Sequence, residues 1–252
     1  VALTAAITFA APAYAAGARY VALGDSYASG LGADSYTAES GSCYRSTNAY
    51  PAVWAANNAP ASYVSVACSG ASTTTVLNSQ LSALSSSTTL VSLTVGGNDV
   101  GFSDIMTTCV LYSEAECVAA VDRAEAKART ELPGKLDTLY NAIRSRAPSA
   151  RVVVVDYPEF YQLGVWGCVG LSETSRAKIN EGVNVLDGVI KSAVTRHSFV
   201  FADVRSIFVG HQLCSGNKWL HALNYSDIKI SYHPFASGQI GGYYPVFRSA
   251  AG

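Results

Sequence analysis

Five short apolar runs, at 20–23, 63–67, 90–95, 152–155 and 199–202, punctuate the chain, each bounded by turn residues. Runs of this length predict strands buried on both faces, as in a parallel sheet. Between the last three runs the pattern changes to the helical period. Leu132, Leu136, Leu139 and Ile143 fall on one face of a helix, and Ile179, Val183, Leu186 and Ile190 repeat that spacing. Pro133 suits the first turn of a helix, so a new helix begins there after an earlier one over about 117–130. Strands that alternate with helices need crossover connections, which predicts a three-layer α/β/α domain around a parallel sheet. A length of 252 residues suits one such domain. The Ser/Thr-rich stretch 82–89 is too short for an interdomain linker and reads as a surface turn.

Residues 1–15 carry no charge and finish in Ala13-Tyr14-Ala15, the small-x-small pattern of a signal-peptide cleavage site. A short buried helix is the other reading of that segment. The signal-peptide reading places the domain at 16–252 and outside the cell. No later segment reaches the roughly 20 apolar residues of a transmembrane helix. Charged residues make up 14% of the chain and the net charge is -1, so no basic field exists to hold nucleic acid.

Six cysteines beside an export signal point to an oxidising compartment and to disulfides. Six admit 15 pairings. Short loops favour chain order: Cys43 with Cys68, Cys109 with Cys117, and Cys168 with Cys214. No Cys-x-x-Cys pair or His-Glu-x-x-His helix offers a zinc site, and no glycine-rich loop with lysine follows a strand, so no metal or nucleotide cofactor is expected.

In an open parallel sheet ligands gather at the carboxyl ends of strands. After the first run stands Gly24-Asp25-Ser26-Tyr27, after the second Cys68-Ser69-Gly70-Ala71, and after the third Gly96-Gly97-Asn98-Asp99; His233-Pro234 lies near the end. Each alone reads as a turn. Together they supply what ester hydrolysis by serine needs: a hydroxyl at Ser26, an imidazole at His233 to take its proton, and N–H donors at Ser26, Gly70 and Asn98 for the oxyanion. Gly-x-Ser-x-Gly is absent, since Ala28 stands at the second glycine, which argues against an α/β-hydrolase elbow.

These four blocks, over about Tyr20 to Gly238, resemble the SGNH (GDSL-type) hydrolase family, within which the chain looks most like secreted actinomycete lipases, esterases and phospholipases A. Tyr27 stands where that family often has Leu. The resemblance implies a flavodoxin-like sheet, Ser26 as nucleophile, His233 as general base, and an oxyanion hole of Ser26, Gly70 and Asn98. It implies a lipid or phospholipid ester substrate, met by a monomer, with a membrane or micelle as the surface. Phospholipase A1 activity is the most specific form of this expectation. A short-chain or carbohydrate-ester deacetylase is the second enzyme reading. A non-catalytic carbohydrate-binding protein, using the 15 tyrosines and three tryptophans, is the reading of another class.

The family places Asp three residues before the histidine, where this chain has Ile230. Either the backbone carbonyl of Ser231 accepts the imidazole Nδ1–H, or Asp227 reaches it by another path; the carbonyl is the favoured choice. Asp25, in an outward-alternating position, is expected to brace the turn rather than act as an acid, and Asp99 is read the same way. His197 is read as structural, at a helix end; His211 and His221 are read as exposed loop histidines. Phe102, Ile105 and Met106, or Tyr161, Leu163, Val165 and Trp166, are candidates for an acyl groove or for plain core.

Overall fold

A computed structural model describes residues 17–252. The signal segment expected at 1–15 lies outside them. Five parallel strands, β1 (Arg19–Gly24), β2 (Ser62–Ser65), β3 (Leu90–Thr94), β4 (Arg151–Val155) and β5 (Val200–Ala202), form one sheet in the order β2-β1-β3-β4-β5. That order is the doubly wound, flavodoxin-like one, whose switch point lies between the carboxyl ends of β1 and its neighbour β3.

Eight helices matter below. They are α1 (Ser26–Ser29), α2 (Tyr50–Asn58), α3 (Gly97–Val100), α4 (Phe102–Leu111), α5 (Glu114–Thr130), α6 (Leu132–Arg146), α7 (Glu173–Arg196) and α8 (Tyr244–Ala251). Helices α2 and α8 pack on each other and on one side of the sheet, where Tyr20 meets Trp54 and Phe247. Helices α5, α6 and α7 pack together as the other layer. The periodic residues do what their spacing requires: Leu132, Leu136, Leu139 and Ile143 are buried, as are Ile179, Val183, Leu186 and Ile190.

The central strands are buried, but the expectation of burial on both faces fails at the edges. Val64 of β2 is 47% exposed and Val200 and Phe201 of β5 are half-buried, because an edge strand has a neighbour on one side only. The helix expected from 117 starts earlier, at Glu114. Ser113 and Glu116 form a reciprocal capping box there, with Ser113 Oγ accepting from Glu116 N at 3.3 Å and Glu116 Oε2 from Ser113 N at 2.9 Å. Two polar residues inside the buried β3 are satisfied by phenols: Ser92 Oγ pairs with Tyr20 Oη at 2.7 Å, and Thr94 Oγ1 with Tyr50 Oη at 3.1 Å.

Disulfides join Cys43 to Cys68, Cys109 to Cys117 and Cys168 to Cys214. Each restricts the unfolded chain by an amount on the order of 2–4 kcal/mol.

Candidate active site

The nucleophile candidate stands where β1 stops. Gly24 has φ +129°, and a Cβ there would meet Thr94 O at 2.4 Å, so only glycine lets β1 turn beside β3. Gln80 clasps the same glycine, taking its N–H at Oε1 and donating to its carbonyl from Nε2, both at 2.8 Å. Asp25 then caps α1, its Oδ1 accepting from Tyr27 N at 2.9 Å. Ser26 is thereby the first helical residue, and its N–H has no acceptor among the described residues.

Asp25 does not point outward as the alternation of β1 suggested. The turn at Gly24 breaks the strand pattern, and Asp25 is buried, with Tyr157 Oη donating to Oδ2 at 2.5 Å. Burial pushes its carboxyl up to about 7. Tyr157 Oη also accepts from Gly97 N at 3.2 Å, so one phenol links the Ser26 turn to the Asn98 turn. Nothing in the sequence marked Tyr157 beyond its place after β4.

The histidine is presented by a tight turn. His233 N donates to Ile230 O at 3.1 Å, with Ser231 at φ -55°, ψ 134° and Tyr232 at φ +67°, the φ pattern of a type II turn. A tyrosine in the left-handed region costs roughly 1–3 kcal/mol. The surroundings hold it there: Tyr232 N donates to His221 O at 2.9 Å, and Tyr27 Oη donates to Tyr232 O at 2.7 Å. This turn aims the Ser231 carbonyl at the imidazole, where it accepts from His233 Nδ1 at 3.0 Å. A carbonyl can only accept, so Nδ1 carries the proton and Nε2 is left to face Ser26 Oγ, 2.8 Å away.

Asp227 stands elsewhere, with its carboxylate paired to Lys229 Nζ, and among the described residues no carboxylate lies within ion-pair distance of His233. Burial without a counter-charge pushes the His233 imidazolium down to about 4.

The remaining two blocks are tied to the first. Cys68 N continues the β1 ladder onto Gly24 O at 3.0 Å, and Ala71 O accepts from Asn98 Nδ2 at 3.0 Å. One hydrogen of that amide is used by Ala71, leaving its second free. Gly70 has φ +79°, and a Cβ there would meet nothing within 4 Å. Its left-handed backbone conformation favours glycine. Its N–H has no acceptor among the described residues. Asp99 braces the Gly70 segment from α3, accepting from Thr73 N at 2.9 Å and Thr73 Oγ1 at 2.6 Å.

The other histidines divide. His197 ends α7 and pairs with Asp137 at 2.9 Å. His211 is half-buried, stacked on Trp219 with ring centres 3.5 Å apart. His221, also half-buried, bonds Gly32 O through Nε2 at 2.8 Å and packs on Phe235. Neither is the exposed loop residue expected, because Trp219 covers the one ring and Phe235 the other. Among the described residues no group of His, Cys, Asp and Glu is arranged to hold a metal.

One cavity opens at Ser26, a second adjoins it, and a third lies beside the turn that carries His233. A narrow slot of about 40 Å³ begins at Ser26 and Asn98, and through Phe102, Phe160, Val183 and Leu186 it runs on into a second hollow of about 50 Å³ between α4, α5 and α7. Ile105 and Met106 line that inner part. An open cleft of about 710 Å³ lies on the far side of Tyr232, lined by Tyr161, Leu171, Leu213 and Leu223.

A doubly wound sheet with a Ser–His pair at its switch point defines a serine hydrolase of the three-layer α/β/α class. Residues 22–239 match the GDSL-like Lipase/Acylhydrolase family. The chain is 53% identical to phospholipase A1 from Streptomyces albidoflavus, whose crystal structure superposes with a TM-score of 0.91 over 94% of this chain and 100% of that one. It is 52% identical to the extracellular lipase of Streptomyces rimosus, with a TM-score of 0.90 over 92% of this chain and 98% of that one. Lipase 1 of Streptomyces coelicolor is 54% identical, over 99% of this chain and 93% of the relative. The chain belongs to the GDSL-like lipase/acylhydrolase family, and it is an ester hydrolase.

Proposed function

We propose that this chain is a secreted lipid-ester hydrolase, of phospholipase A1 type, that works through an acyl-enzyme on Ser26. The observation that carries the reading is the 2.8 Å contact of Ser26 Oγ with His233 Nε2, with Nδ1 held by the Ser231 carbonyl. His233 accepts the serine proton as Oγ attacks the ester carbonyl, then donates it to the departing alcohol oxygen. A water attacks the acyl-enzyme by the same route and frees Ser26. The Ser26 and Gly70 N–H groups and the spare Asn98 amide hydrogen stabilise the oxyanion, each such donor being worth about 3–4 kcal/mol in the transition state.

The lipid assignment is supported by relatives called phospholipase A1 and lipase, and by a mostly apolar slot that opens at Ser26. Cleavage after Ala15 and action as a monomer at a membrane or micelle surface complete the proposal. Export is supported by the relative described as extracellular and by the three disulfides.

The test is hydrolysis of p-nitrophenyl butyrate and of phosphatidylcholine by wild type and Ser26→Ala, with mass mapping of a fluorophosphonate adduct. The expected result is an adduct on Ser26, an inactive variant, and release of the first acyl chain of the phospholipid. An adduct on another serine would overturn the site, and hydrolysis of short esters alone would overturn the lipid reading.

A further inference from the structure

Two short helices start at the proposed oxyanion donors. Ser26 is the first residue of α1 and Asn98 the second of α3, and the N–H groups of a first turn have no partner inside their own helix. Asp25 caps α1 with its carboxyl. The residue before α3 is Gly96, which has no side chain with which to do the same. The phenol of Tyr157 supplies what Gly96 lacks: its Oη accepts from Gly97 N at 3.2 Å and donates to Asp25 Oδ2 at 2.5 Å. One oxygen atom therefore joins the starts of both helices.

Tyr157 is itself firmly placed. It stands two residues past the end of β4 and is buried, its N–H donates to Asp187 Oδ1 of α7 at 3.3 Å, and its ring meets that of Tyr27 edge-on at 5.1 Å. From α3 the connection runs on to the third donor. Asn98 Nδ2 donates to Ala71 O at 3.0 Å and Asp99 Oδ2 accepts from Thr73 N at 2.9 Å, both on the segment that carries Gly70. A shift of α3 against α1 would thus carry Asn98 and Gly70 together away from Ser26.

We propose that Tyr157 is a positioning residue for the oxyanion hole: its hydroxyl, bridging Asp25 and Gly97, sets the spacing between the Ser26 N–H and the donors at Asn98 and Gly70. The proposal rests on the oxyanion reading above and names the group that holds those donors in register. Tyr157 is not a reacting group and acts through Asp25 and α3. The general base is held separately, His233 by the Ser231 carbonyl and its turn by Tyr27. Loss of the phenol oxygen is therefore felt at the oxyanion rather than at the imidazole. Those donors matter most once charge has moved onto the carbonyl oxygen, so the effect falls on kcat and not on KM.

The test is Tyr157→Phe, which keeps the ring and removes the bridge. On p-nitrophenyl butyrate its kcat is expected to fall about tenfold with KM within about twofold, since losing a donor outright costs about 10²–10³ and displacing one costs less. Phenylboronic acid forms a tetrahedral adduct with the serine that sets an oxygen against the same donors, and the variant is expected to bind it about tenfold more weakly. A side chain that only filled the core would move the urea midpoint and leave both readouts alone. Asp25→Ala breaks the bridge at its other end, and so reads the link even where Tyr157→Phe does not fold. The double variant is expected to lose no more than about threefold beyond the worse single one, as for two ends of one connection. An unchanged kcat and boronate affinity in Tyr157→Phe, a loss carried by KM, or losses that multiply in the double variant would overturn the proposal. Full activity of Ser26→Ala, or a wild type that phenylboronic acid does not inhibit, would instead remove the oxyanion reading on which it rests.

Discussion

The Tyr27 hydroxyl donates to the Tyr232 carbonyl at 2.7 Å, joining the helix that carries Ser26 to the turn that carries His233 across 205 residues of sequence. Tyr27 also lies 5.2 Å from the imidazole, ring centre to ring centre. The residue that replaces the family's usual leucine therefore connects the two reacting groups. Tyr27→Phe removes the hydrogen bond and keeps the ring. It is expected to lower kcat about tenfold, with KM within about twofold, and to reduce stability by about 1 kcal/mol. Steady-state kinetics and urea unfolding measure both, and an unchanged kcat would show that the Tyr232 turn holds without the bond.

A general base works in its neutral form. Burial puts the imidazole of His233 at about 4, below the ordinary 6.5, so it stays neutral as pH falls through the range in which a free histidine gains its proton. The expected kcat/KM profile on a soluble ester is flat from neutrality down to about pH 5, with its acid limb falling through about pH 4. An acid limb centred near 6.5 would mean that burial does not lower the imidazole as described.

Asp227 is the control for the missing acid. Its carboxylate faces Lys229 on the surface, so Asp227→Asn is expected to keep kcat within a few-fold and stability within about 0.5 kcal/mol. A triad aspartate elsewhere costs about 10⁴ in kcat when so changed. A loss of that size here would sink the carbonyl assignment.

Asp25 ties stability to pH through its burial. Its carboxyl sits at about 7 when folded and near the ordinary 3.8 when unfolded, so between those pH values the folded chain retains a proton that the unfolded chain releases. The sign follows: this group's contribution is fully present below about pH 4 and is lost as pH rises through about 7. Relative to Asp25→Asn, wild type is expected to lose stability between those pH values and to run parallel above. Chemical unfolding of both proteins at half-unit pH steps reads the difference. A constant gap across that range would mean that Asp25 is ionised in the fold.

The sheet and its two helical layers were legible because burial is periodic: one face of α6 and one of α7 can be counted directly from leucine, isoleucine and valine. The four blocks were legible because turns after strands need glycine and small polar residues, whose types survive as a pattern. Some of what supports them was not. Tyr157, Gln80 and the carbonyl of Ser231 act through contacts 56 to 132 residues away or through the backbone, which carries no residue label. The start of α5 was readable in Ser113 and Glu116, since a capping box is local. The depth of Asp25 was not, because a single positive φ at Gly24 cancels the alternation along β1.

The Cys43–Cys68 link reaches beyond loop fastening. Gly70 lies two residues past Cys68, and Ser69 N also meets Cys43 O at 3.2 Å, so the covalent staple and the proposed anion donor share one short stretch of chain. With that link reduced, the Ser26–His233 contact would keep its own anchors in Tyr27 and Ser231, while the segment that carries Gly70 would lose its covalent one.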